Sequence, residues 1–121
     1  MMLNTGMRRR IGFTLLELLA VVTIIGLLAV LAVAKFGDSK RRAYLAAMKS
    51  DLHSLATTAE SRFTSENSYA NMPVPKGSAG VTLTFDGAIT AWKATATHSS
   101  LPGVTCTLES GPGLQSSIDC H

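Results

Sequence analysis

The sequence predicts an α+β fold: one long N-terminal helix, packed by its second half on a small three-stranded antiparallel sheet. Three observations predict it. Residues 18–34 carry no charge, and Thr23 is their only strongly polar side chain. A second helical pattern follows, with no proline between Phe13 and Asn71. Beyond that, apolar positions change from helical spacing to alternation.

The elements follow in chain order. Residues 1–12, MMLNTGMRRRIG, read as a short basic leader. The net charge is +3 and the chain has 11 Lys and Arg, three of them Arg8, Arg9 and Arg10. Without residues 1–12 the formal side-chain charge is zero, so the basic excess belongs to a targeting segment and not to a nucleic-acid surface. Residues 13–34 form the apolar helix. Its uncharged block reaches roughly 25 Å at the helical rise, against a hydrocarbon core about 30 Å thick. Extending it back to Phe13 closes the gap and brings Glu17 inside. The block reads as a membrane segment or an export signal.

Residues 35–64 continue the helix in amphipathic form. Leu45, Met48, Leu52, Leu55, Ala59 and Phe63 recur at spacings of three and four, one face of a helix. Lys49, Asp51, His53, Glu60 and Arg62 mostly lie off that stripe. One helix running to about Thr64 is predicted. Lys35, Lys40, Arg41 and Arg42 form a basic patch just past the span, either solvated or available for salt bridges between packed copies.

Residues 65–121 supply the partner for the stripe. The stretch 64–80 is dense in turn formers. Val81, Leu83 and Phe85 alternate with Thr82 and Thr84 as in a strand. Asp86-Gly87 is a two-residue hairpin signal. Residues 89–97 return as a second strand anchored by Trp92, and residues 104–108 form a third strand carrying Cys106. The tail from Ser110 to His121 has no periodicity and reads as a surface loop. Cys106 and Cys120 are the only cysteines. Behind an export segment an even count reads as a disulfide, which would tie that tail to the third strand. Their spacing fits no zinc pattern.

No catalytic constellation is legible. His53, His98 and His121 show no metal-ligand spacing, and no glycine-rich loop fits a phosphate cradle. Neither an enzyme nor a cofactor is expected. The aromatic residues Phe13, Phe36, Tyr44, Phe63, Tyr69 and Trp92 are spread along the chain and read mostly as packing.

The informative motif crosses the leader junction: Ile11-Gly12-Phe13-Thr14-Leu15-Leu16-Glu17-Leu18, continuing through Val21-Val22-Thr23-Ile24-Ile25-Gly26. With the preceding arginines it resembles the processing signature of type IV pilins over residues 8–33. The resemblance implies a pilin-like fold. It also implies cleavage between Gly12 and Phe13 by a prepilin peptidase, and N-methylation of Phe13. Glycine at the cut admits a protease backbone closely. Glu17 is an ionisable group within a span, which costs about 2.5–3.5 kcal/mol at a helix centre on insertion scales. In the family it pairs with the N-terminal amine of Phe13 on a neighbouring subunit. Gly26 begins a stretch that loses helical structure in some resembling filaments. Those pilins usually carry a proline eight residues later, and here that position is Ala34, which favours a straighter helix.

The implied protein is a helical homo-oligomer, with the prepilin peptidase, an assembly ATPase and its inner-membrane platform, and an outer-membrane channel as partners. A nucleic acid is not an expected direct partner. The implied location is the inner membrane, N-terminus cytoplasmic, and then the extracellular filament. Loop charge alone does not fix that topology, because basic residues flank the span on both sides. Adhesion, twitching motility and DNA uptake all use this subunit design. Two alternatives share the leader and helix: a type II secretion pseudopilin and a minor or competence pilin. A third differs in class. Ala32-Val33-Ala34 matches a conventional signal cleavage site, and a cut there would release residues 35–121 as a soluble exported domain.

Overall fold

The computed structural model describes residues 12–121; the leader residues before Gly12 lie outside the described part. The chain divides into two compact units, the first ending at Gly37 and the second spanning Asp38–His121. The helix α1 (Leu15–Glu66) contributes to both.

In the first unit α1 is aliphatic on all sides. Leu16, Leu18, Val22, Ile25, Leu28 and Leu31 are all exposed. The hydroxyl of Thr23 donates to the carbonyls of Leu19 and Ala20, at 2.9 and 2.8 Å, so the polar group is satisfied within its own helix. That removes most of the cost of placing it in an apolar medium.

In the second unit α1 has the face predicted by its spacing. Met48, Leu52, Leu55 and Ala59 are fully buried, with Leu45 and Phe63 packed at the margin. The helix stops at Glu66 because Asn67 takes a left-handed conformation, φ 54°. The Asn67 amide donates to the Phe63 carbonyl at 2.8 Å, which is the single-bond left-handed cap with asparagine in the place usually held by glycine. Asp51 anchors the following loop to the helix. Its carboxylate accepts the Ser78 amide at 2.7 Å and the Ser78 hydroxyl at 2.9 Å.

Four strands follow: β1 (Val81–Gly87), β2 (Trp92–His98), β3 (Thr105–Ser110) and β4 (Asp119–Cys120). They form one antiparallel sheet in chain order. The second half of α1 and this sheet share one core, where Leu52 and Leu55 meet the small Ala94 and Ala96 of β2 together with Cys106 and Leu108 of β3. Each fully buried leucine contributes roughly 1.5–3 kcal/mol relative to exposure. The α+β class is as predicted.

Two details differ from the sequence expectation. The sheet has four strands, not three. The last pairs Cys106 with Cys120 and Thr107 with Asp119, and Thr105 and His121 exchange backbone hydrogen bonds at 2.9 and 3.1 Å. A two-residue strand is too short to show alternation, so the tail reads as loop. The hairpin turn is also displaced. Asp86 and Gly87 pair with Lys93 and Trp92 inside the ladder, and the chain turns at residues 88–91, closed by the Ala88 amide on the Ala91 carbonyl at 2.8 Å. Gly87 is small for another reason: a Cβ there would lie 2.3 Å from the Tyr69 carbonyl oxygen. The glycine lets the loop backbone cross the strand closely, a use that resembles a turn signal in sequence.

Candidate functional site

The candidate site is the start of the apolar helix. Among the described residues up to Ala34, Glu17 is the only ionisable side chain. It lies in the first turn of α1. Its amide donates to the Thr14 hydroxyl at 3.2 Å, which makes Thr14 the N-cap and Glu17 the third helical residue. Thr14-Leu15-Leu16-Glu17 is thus a capping-box sequence, and the hydroxyl satisfies one of the helix's orphan amides. An acidic side chain in this turn also meets the positive end of the helix dipole. Thr14 is the capping residue that the sequence pattern leaves inconspicuous, identified by its spacing to Glu17.

Around this turn the side chains point outward. Phe13 is 83% exposed, and Leu15 and Leu16 are similarly bare. Among the described residues, a Cβ on Gly12 or Gly26 would meet no atom within 4 Å. Helical structure continues through Gly26 and Ala34. Among the described residues, α1 is long and apolar enough to cross a membrane. Arg41 and Arg42 are exposed further along the same helix.

The other residues singled out from sequence lie in the second unit. Cys106 and Cys120 are joined as a disulfide, and Cys106 is fully buried. His98 is buried and stacks on Tyr44 with ring centroids 4.3 Å apart, while its Nδ1 accepts the Ser100 amide at 3.0 Å. His121 sits 3.7 Å from Asp119 at the exposed tail. Among the described residues no group of three His, Cys, Asp or Glu side chains could hold a metal ion.

Glu60 has a role that the helical pattern hid. Its two carboxylate oxygens accept the Tyr69 hydroxyl at 3.0 Å and, more loosely, the Trp92 indole N–H at 3.4 Å. Tyr69 stacks on Phe63 and meets Trp92 edge-on, and Trp92 stacks on Phe85. Burial raises the Tyr69 phenol above its ordinary pKa, and the hydrogen bond and charge of Glu60 raise it further.

Residues 7–33 match the family model for the prokaryotic N-terminal methylation motif. Two fimbrial proteins of Pseudomonas aeruginosa are each 36% identical over 70 residues. That stretch is 58% of this chain and 46% of each relative, so the chain spans about half the length of the proteins it resembles. No solved structure matches it. The methylation motif and the fimbrial likeness together support a type IV pilin.

Proposed function

We propose that the chain is a structural subunit of a type IV pilus, cut between Gly12 and Phe13, methylated on Phe13 and polymerised through its apolar helix. The observation that carries the reading is Glu17, a lone acid in the first turn of an exposed aliphatic helix, inside the methylation motif. A prepilin peptidase makes the cut, which leaves the span in the mature chain. The subunit waits in the inner membrane with its N-terminus in the cytoplasm. An assembly ATPase and its platform then move it into an extracellular filament.

The cut gives Glu17 its partner. Before it, residue 13 has an amide nitrogen; afterwards it carries an amine, which is cationic at neutral pH. An acid left unpaired among packed helices is strongly destabilising, whereas a paired one is tolerated. Pairing with the Phe13 amine of a neighbouring copy therefore selects one stagger between subunits. The helix exchanges lipid contacts for protein contacts of similar polarity, so apolar burial alone does not select a register.

Glu17→Val tests this. The expected result is a membrane-embedded, correctly cut subunit and no sheared surface filaments; a normal filament yield would sink the pairing. The mass of the wild-type filament subunit checks the processing, and should equal residues 13–121 plus one CH2, for the methyl that replaces an amine hydrogen, and minus two hydrogens for the disulfide.

A further inference from the structure

Within Asp38–His121, the two flanks of α1 are complementary to each other. Thr57 and Ser61 form a crest, since they line the clefts on both sides of the helix. On one side lies a groove of about 690 Å³, whose far wall is Trp92, Leu108 and Ser110. Its surface is mostly apolar, and Glu60 is its one carboxylate. β4 pairs only with Cys106 and Thr107, so from Leu108 onward β3 has no strand neighbour on that edge. The tail residue Ser116 also lines the groove, and an apolar groove of this kind can hold an extended segment.

On the other side, the far wall of the cleft is Met72 and Pro73. The chain continues from there as Val74-Pro75-Lys76, and both Val74 and Lys76 are exposed. The flanking prolines bias this segment towards an extended shape, which lowers the entropy lost when it is held. Among the described residues, neither Lys76 nor Glu60 takes part in an ion pair of its own chain. One flank thus projects an apolar side chain followed by a cation, and the other offers an apolar floor beside an anion. Such a contact uses two different patches, so it is heterologous, and it propagates along an assembly unless the rotation closes a ring.

We propose that residues 74–76 of one copy seat in the groove of a second copy, with Val74 over Trp92 and Leu108 and the Lys76 ammonium against the Glu60 carboxylate. The contact rests on the filament reading above and adds a lateral register between folded domains. Tyr69 and Trp92 orient the carboxylate, and each oxygen keeps a lone pair for a further donor. An exposed pair of this kind fixes register more than it adds strength, so proximity is a better readout than filament yield.

Wild-type filaments are treated with a water-soluble carbodiimide, which joins a lysine amine and a carboxylate in contact as an amide, with loss of water. The expected product is a covalent dimer on a denaturing gel, with Lys76 joined to Glu60 in its digest. Lys76→Arg keeps the charge but is not joined, and should remove most of that dimer. Intact filaments that give no dimer, or a dimer without this linkage, overturn the contact and leave the filament reading standing. If no filament contains the chain, both fall.

Discussion

Leu27 and Leu52 lie on the same helix and have opposite surroundings. Leu27 is 71% exposed, whereas Leu52 is fully buried. The contrast holds for the units around them. Among the described residues, the aliphatic side chains of 12–37 are exposed. Asp38–His121 brings its own cover, in the form of Ala94, Ala96, Cys106 and Leu108. Hydrophobic burial stabilises a fold only when the chain provides both surfaces. The second unit meets that condition. Among the described residues, the first does not.

The largest expected effect tests this contrast directly. Leu52→Ala should destabilise the full chain in mild detergent by about 2–5 kcal/mol, the range for opening a cavity in a core. Leu27→Ala should stay within about 0.5 kcal/mol, as for surface positions. Both are read from denaturant unfolding of the folded unit, followed by the fluorescence of Trp92, the single tryptophan. Equal losses for the two would mean that the first unit also takes part in the core.

Next in size is the cross-link of the tail. Replacing both Cys106 and Cys120 by alanine should cost about 3 kcal/mol in the chain-entropy model. Some of that loss reflects β4, which is only two residues long and pairs with β3 at the cysteines themselves. An unfolding midpoint that does not move would show that β4 holds without the bridge. Neither change should affect insertion of the first unit into a membrane.

The same contrast explains which parts of the molecule were legible in the sequence. The helix was, because a seventeen-residue uncharged block and a regular stripe of large apolar residues are periodic signals. The first three strands were for the same reason, with shifts at the hairpin. Gly87 was misread because a glycine needed for close backbone approach looks the same as one needed for a turn. β4 was missed because two residues carry no period, and long-range pairing with Cys106 and Thr107 places them. At the helix start, Glu17 stood out against an apolar background. Thr14 did not, since a capping threonine is unremarkable in composition and gains meaning only from its spacing to the acid. Glu60 was hidden because its partners, Tyr69 and Trp92, follow it by nine and thirty-two residues, separations at which no local pattern operates.

That last cluster gives the smallest expected effect and the one most specific to the second unit. The buried Tyr69 phenol has its pKa raised, first by desolvation and then by Glu60. The folded state therefore holds the phenol proton more tightly than the unfolded chain, whose tyrosines titrate near pH 10. The sign follows from linkage: a group with a raised folded-state pKa contributes stability that is fully present below the unfolded value and is lost as pH rises through the folded one. Unfolding midpoints should accordingly fall as pH climbs from about 10. Tyr69→Phe should flatten most of that fall, at a cost near neutral pH of about 1 kcal/mol for the lost hydrogen bond. Because the phenol belongs to Asp38–His121, a wild-type fall that persists undiminished in Tyr69→Phe would place the titrating group elsewhere.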